Sequence, residues 1–184
     1  MKLFHLSDLH IGKRVNEFSM IEDQKYILER ILDLAEKEMP DGVILAGDIY
    51  DKQIPSAEAV QVFDEFITKL AERKLPVFVI SGNHDSAERL AFGGRLLNSR
   101  GIYLSPVYNG TVMKIPIADQ YGTVWIHLLP FIRPAAVRRV FEDESDLITD
   151  VQSAVRAVIS HMEIDPNERN ILVAHQFVTG ASRC

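Results

Sequence analysis

Four short stretches of this chain place acids, amides and imidazoles where an apolar run stops. "HLSDLHIG" carries Asp8 and His10, "LAGDIYD" carries Asp48 and Asp51, "VFVISGNHD" carries Asn83, His84 and Asp85, and "ILVAHQF" carries His175. In extended backbone, residues i and i+2 point the same way, so Asp8 and His10 can reach one ion. The pooled donors are carboxylates, imidazoles and one amide, with no thiol. That set suits Mn, Fe or Zn better than soft metals, and it holds too much nitrogen for Mg or Ca alone. Two such ions about 3.5–4 Å apart can clamp the attacking and leaving oxygens of a phosphoryl displacement. A carboxylate offers two anionic oxygens and is the natural bridge between them, a role assigned to Asp48. Asn83 offers its carbonyl oxygen to one ion. His84, next in sequence, must point elsewhere, toward the phosphate or the departing oxygen. Asp51 reads either as a first-turn helix charge or as a partner that steadies a ligand histidine. Asp85 reads as a helix cap that also orients His84.

Taken singly, each motif has an ordinary explanation: a turn, a cap, a polar loop. Four of them, each at a strand end, favour a metal. The other histidines read as structural. His5 is expected to be packed within the first strand, His127 to sit on a strand face, and His161 to lie near a helix end where it favours the dipole.

The elements that position these residues follow from hydrophobic period. Apolar runs at 3–6, 42–48, 76–82 and 170–175 read as strands. Helical spacing over about 21–37 places Ile27, Ile31, Leu34 and Ala35 on one face. Ser56 caps a second helix that turns Val60, Phe63, Ile67 and Leu70 inward. Asp85 and Glu88 have capping-box spacing and open a helix running to about Arg100. From 101 onward, "GIYL", "GTVMKIPI" and "GTVWIHLLP" read as strands with hairpin-like pairing. Pro134 opens a short helix to about Phe141, and an amphipathic one follows with Ile148, Val151, Val155, Val158 and Ile159 on a face. Strand–helix alternation with continuous apolar strands predicts a parallel α/β sheet. Ligands of such sheets sit beyond the carboxyl ends of the strands, where the four motifs fall.

The chain has 184 residues, one domain's length, and 47% of them are hydrophobic, enough for a sizeable core. A net charge of −6 argues against sequence-wide affinity for nucleic acid, but local basic contacts stay open. The one cysteine, Cys184, excludes an internal disulfide and a cysteine metal cage. The start has no signal-peptide pattern, and no apolar run could span a bilayer, so a cytoplasmic protein with no membrane association is expected.

"DLH", "GDIYD", "GNHD" and the later histidine resemble the ordered motifs of the calcineurin-like metallophosphoesterases. "HLSDLHIGK", "AGDIYDKQIPSAEAV" and "SGNHDSAERL" narrow the resemblance to bacterial SbcD-type exonuclease subunits, counterparts of the eukaryotic double-strand-break repair nuclease. Protein phosphatases of the superfamily differ, with an arginine motif where Lys52 stands and a glutamate where Asp85 stands. The resemblance implies an α-β-β-α sandwich. It also implies that Asp8 and His10 hold one metal, Asn83 and His175 the other, and that Asp48 bridges them. A hydroxide activated by the metals would attack a DNA phosphodiester, with His84 stabilising or protonating the leaving group. Two divalent ions are implied, manganese first, with Mg, Fe or Zn as alternatives. So are 3'–5' exonuclease and hairpin or end endonuclease activity in DNA repair, recombination and replication, an SbcC-type ATPase partner, and a homodimer within a heterotetramer. Lys13, Arg14 and Arg89 are candidate DNA contacts, against the alternative of solvated surface charges.

The family's last ligand motif, Gly-His-x-His, does not occur before Cys184. The expectation is therefore a metallophosphoesterase (nuclease) domain over 1–184 that is incomplete at its C-terminus. It would lack the last strands of the second sheet, with weakened metal binding and low activity. Two other functions stay open: a phosphoesterase acting on a smaller ester, and a scaffold that has lost catalysis.

Overall fold

A computed structural model of the chain describes residues 1–177; Cys184 lies outside them. In chain order the elements are β1 (Leu3–Leu6), β2 (Arg14–Val15), β3 (Phe18–Ser19), α1 (Ile21–Glu38), β4 (Gly42–Ala46), α2 (Ala57–Glu72) and β5 (Val77–Ile80). Then come α3 (Ala87–Leu90), α4 (Gly94–Leu97), β6 (Ile102–Leu104), β7 (Met113–Asp119), β8 (Gly122–Leu128), α5 (Pro134–Val140), α6 (Val151–Ser160) and β9 (Arg169–Val173).

β1, β4, β5 and β6 form a parallel sheet in the order β1-β4-β5-β6. A second sheet has the order β7-β8-β9, with β7 antiparallel and β9 parallel to β8. Every residue of β4 and β5 is buried, because both faces of these strands are covered. Val43, Leu45, Val77 and Val79 pack against Leu28 and Leu32 of α1 and Phe63, Phe66 and Leu70 of α2. The alternate residues Ile44, Ala46, Phe78 and Ile80 meet Ile115, Val124, Ile126 and Leu128 of the second sheet. A third core joins Leu129 and Ile132 to Val137 of α5 and Ala154 and Val158 of α6. Helices, sheet, sheet and helices make up the expected α-β-β-α sandwich. Among the described residues no helix is long and apolar enough to cross a membrane.

Several local expectations fail for identifiable reasons. α1 buries Ile21, Leu28, Leu32 and Ala35, while Ile27 and Leu34 lie exposed. The helix carries two neighbouring apolar stripes, and the sheet takes only one of them. α2 buries Ala59, Val62 and Phe66 beside Phe63, Ile67 and Leu70, and leaves Val60 out. α6 likewise turns Val151 and Ile159 outward and buries Ala154 and Ala157. The helix expected up to Arg100 is broken at Gly93-Gly94 into α3, α4 and a 3₁₀ turn, and Leu96 is exposed. Two adjacent glycines cost a helix interior about 1 kcal/mol each relative to alanine. β6 pairs in parallel with β5 instead of opening a hairpin, and of the strands after residue 101 β7–β8 form one. His5 is exposed, because β1 is an edge strand.

Candidate metal centre

The loops that leave β1 and β4 run side by side and prolong the sheet's ladder. Asp8 N donates to Gly47 O at 3.1 Å, His10 N to Asp48 O at 3.0 Å and Ile11 N to Ile49 O at 2.9 Å. Within this ladder Asp8, His10 and Asp48 have φ of 56°, 44° and 51°. Left-handed backbone is uncommon outside glycine and costs of order 1–3 kcal/mol where the surroundings enforce it. Three side chains of metal-ligating type thus share one strained patch. Asp8 and His10 are not in the extended geometry that their i, i+2 spacing suggested. The turn itself brings them together, with His10 Nε2 3.7 Å from Asp8 Oδ1.

Asp48 lies at the middle, 2% exposed. Its Oδ1 accepts the His84 backbone N–H at 2.9 Å. Its Oδ2 faces His175 Nε2 at 3.4 Å and His10 Nε2 at 3.8 Å. Two groups of metal-ligating type result, His10–Asp48–His84 and Asp8–Asp48–His175, and the donor atoms within each lie within 4.8 Å of one another. Asp48 belongs to both.

His175 tests whether a cation fits. Its Nδ1–H donates to Ala46 O at 2.7 Å, so in the neutral ring Nε2 carries a lone pair. That lone pair faces Asn83 Oδ1 at 3.2 Å as well as Asp48 Oδ2. In that neutral form three acceptors converge, an arrangement that a divalent ion satisfies. Two glycines permit the convergence. Gly47 has φ +90°, and a Cβ there would come within 2.6 Å of the His175 ring. A Cβ on Gly82 would overlap the Asp48 carboxylate.

Asp51 lies beside two histidines and bonds one of them. Its Oδ1 lies 3.7 Å from His10 Nδ1, and its carbonyl accepts the His84 Nδ1–H at 3.0 Å. The rings of His10 and His84 meet edge to face with centroids 4.8 Å apart. The bond to the Asp51 carbonyl raises the His84 pKa; slight burial opposes this and the Asp48 charge adds to it. Exposed His84 therefore holds a proton on Nδ1 and turns Nε2 away from Asp51.

Asp85 does not cap a helix. Ser86 does, its side chain accepting from Arg89 N. The buried Asp85 carboxylate accepts from Gly82 N at 2.8 Å, Tyr50 N at 2.9 Å and Ile49 N at 3.1 Å. It ties the loop after Asp48 to the loop that carries Asn83 and His84.

Gln24 belongs to none of the sequence motifs, yet it supports the site. From α1 it accepts Gly12 N at 2.9 Å and donates to His10 O at 2.8 Å and Leu9 O at 3.0 Å, clamping the loop that carries His10. A signal for it exists: position 24 lies on the buried stripe between Ile21 and Leu28, where a glutamine needs partners.

Lys13, Arg14 and Arg89 are exposed and stand outside the cluster; the Arg14 guanidinium bonds the Glu17 carbonyl in the β2–β3 turn. His127 is a buried strand-face residue bonded to Asn170 Oδ1 at 2.9 Å, and His161 Nδ1 bonds Ala157 O at 2.8 Å at the end of α6.

Acceptors thus gather at the strand ends of two packed sheets. Residues 1–183 match the calcineurin-like phosphoesterase family, and the chain belongs to it. Among curated relatives, it is 36% identical over 183 residues to the D subunit of the nuclease SbcCD from Staphylococcus epidermidis, covering 98% of this chain and 47% of the relative. It is 34% identical over 186 residues to the corresponding SbcCD nuclease protein from Staphylococcus saprophyticus, covering 100% of this chain and 48% of the relative. The chain spans about half the length of the curated relatives it matches. A solved structure of Yfce, a phosphoesterase from E. coli, aligns with a TM-score of 0.35 and 16% identity over 70% of this chain and 56% of that one.

Proposed function

We propose that this chain is the metal-binding part of a DNA nuclease subunit that hydrolyses phosphodiesters with two divalent ions, manganese first among them. The observation that carries the reading is the position of Asp48, buried and common to both donor groups. Asp8, His10, Asp48, Asn83 and His175 would hold the ions. When bound, the ions lower the pKa of water and stabilise charge on the phosphoryl oxygens.

The chain's own groups do the rest. The Asp51 carbonyl fixes the proton of His84 on Nδ1, while the Asp51 carboxylate stands 3.7 Å from His10 Nδ1, beyond hydrogen-bond reach. His84 then offers Nε2 to the departing oxygen. Likeness to the staphylococcal nuclease proteins supports DNA as substrate. The motif resemblance extends the proposal to exonucleolytic and end-directed cleavage in DNA repair, and to an SbcC-type ATPase as partner to a dimer.

The test is incubation with Mn²⁺ and, in parallel, bis-p-nitrophenyl phosphate, p-nitrophenyl phosphate and single- and double-stranded DNA. Diester and DNA cleavage that chelator abolishes is expected, and His84→Ser should lower hydrolysis with bound metal unchanged. By calorimetry, Asp48→Asn should weaken both ions and His175→Ala one. Preference for the monoester, or turnover in chelator, would refute the proposal.

A further inference from the structure

Beside the metal centre, on the side of the second sheet, a cleft of about 200 Å³ opens between the Asn83 loop and the segment that follows β8. Its lining includes Asn83, Gln53, Tyr108, Phe131 and Arg133. No role in holding metal or moving a proton falls to the last three. We propose that this cleft is a nucleobase subsite, which receives the base of the nucleotide whose phosphate lies on the metal centre. The inference rests on the phosphodiesterase reading of that centre and names what the site recognises beyond phosphate.

Continuity comes first. Asn83 belongs to both places, and the Phe131 ring stands edge-on to the His175 ring with centroids 6.5 Å apart. A phosphate held at the ions would therefore direct its sugar and base along Phe131. Phe131 is only half-buried, although the flanking Pro130 and Ile132 are buried, so an aromatic surface is presented at the cleft. The backbone fixes it there, because Phe131 N donates to Ser81 O at 2.8 Å, joining the end of β8 to the end of β5.

Polar recognition comes second. Tyr108 lines the cleft, with its hydroxyl buried against the core that holds Ile132 and Val137. The exposed Arg133 and Gln53 add a cation and an amide at the mouth. The acids of the lining are already engaged: Asp85 by three backbone N–H groups and Glu88 by Ser86 Oγ at 2.9 Å.

Size comes third. The volume lies below the ~300–1,000 Å³ of sites for drug-sized ligands, which suits one base and excludes a base pair. An aromatic face with adaptable polar neighbours tolerates any base, because every base has a π-face to stack. The subsite therefore takes a terminal or unpaired nucleotide.

The experiment is calorimetric titration of the full chain with deoxyadenosine 5'-monophosphate and, separately, with 2-deoxyribose 5-phosphate, which lacks the base. Each titration is run in Mn²⁺ and again in chelator. The nucleotide should bind more tightly than the sugar phosphate in both buffers, by roughly 5- to 100-fold, the range expected from one base–aromatic stack. Phe131→Leu keeps apolar volume and should abolish that advantage while leaving sugar phosphate affinity unchanged. Arg133→Ala, at an exposed position, should reduce it without altering the melting temperature. Equal affinity of wild-type chain for the two probes, or an advantage that survives Phe131→Leu, would overturn the subsite. Failure of the metal reading looks different: Mn²⁺ would then add nothing to the affinity for either probe, whatever the base contributes.

Discussion

Asp85→Asn is the sharpest perturbation of the scaffold, because it nearly preserves shape and changes one atom's hydrogen-bonding role. In the native protein Oδ2 accepts from Gly82 N and Ile49 N, and Oδ1 accepts from Tyr50 N at 2.9 Å. An asparagine keeps the first pair if its oxygen takes the Oδ2 position. Its amide then faces the Tyr50 N–H, donor against donor. One hydrogen bond to a charged group, worth about 1.5–3 kcal/mol, disappears, and a buried N–H is left unpaired at a further cost of about 1–3 kcal/mol. The two remaining bonds weaken as the charge is lost. A destabilisation of about 2.5–6 kcal/mol is expected, a large share of the roughly 5–15 kcal/mol by which a domain of this size is stable. Asp85→Ala removes all three acceptors and should cost more than Asp85→Asn. The assay is urea unfolding of wild type and both variants, compared at equal m-value. Calorimetric Mn²⁺ titration beside it should show weaker binding, since the Asp48 and Asn83 loops lose their tie. An Asp85→Asn loss below about 0.5 kcal/mol, or an alanine variant no less stable than the asparagine one, would refute the brace.

Other perturbations test separate parts of the site. Gln24→Ala removes three bonds from the His10 loop and should lower stability by about 1–3 kcal/mol in urea unfolding and weaken Mn²⁺ binding in calorimetry, while Gln24→Glu, which sets a carboxylate oxygen against the Leu9 and His10 carbonyls, should be no milder than alanine. Gly47→Ala combines a left-handed backbone with a Cβ that meets the His175 ring; its melting temperature should drop, and His175 ring signals in NMR should shift. Asp119 is held well below its ordinary pKa, first by the Arg169 guanidinium that grips both its oxygens at 2.7 and 3.1 Å. Its lowered folded-state pKa means the stabilisation is full above the ordinary value of 3.8 and is lost as pH falls through the folded value. The stability gap between wild type and Asp119→Asn, measured by urea unfolding, should therefore be constant near neutrality and shrink below about pH 4.

Composition and spacing alone were enough for the parallel sheet, since β4 and β5 are apolar on both faces and only a doubly covered strand tolerates that. They also located the strand ends at which Asp8, His10, Asp48, Asn83, His84 and His175 gather, because a polar residue directly after a buried strand must find a partner at the rim. Residues 3–6 and 42–46 say nothing, however, of the left-handed turns that follow them, which exist because two loops bond each other across the sheet. The choice between the two apolar stripes of α1 likewise needed the sheet it packs on. The same holds for Asp85, which has the spacing of a cap but bonds Ile49 and Tyr50, more than thirty residues back along the chain. Gln24 and the cleft at Phe131 and Tyr108 depend on contacts between segments far apart in sequence. Local pattern fixes which groups are available; their partners are set by which segments the fold makes neighbours, and no short window contains both.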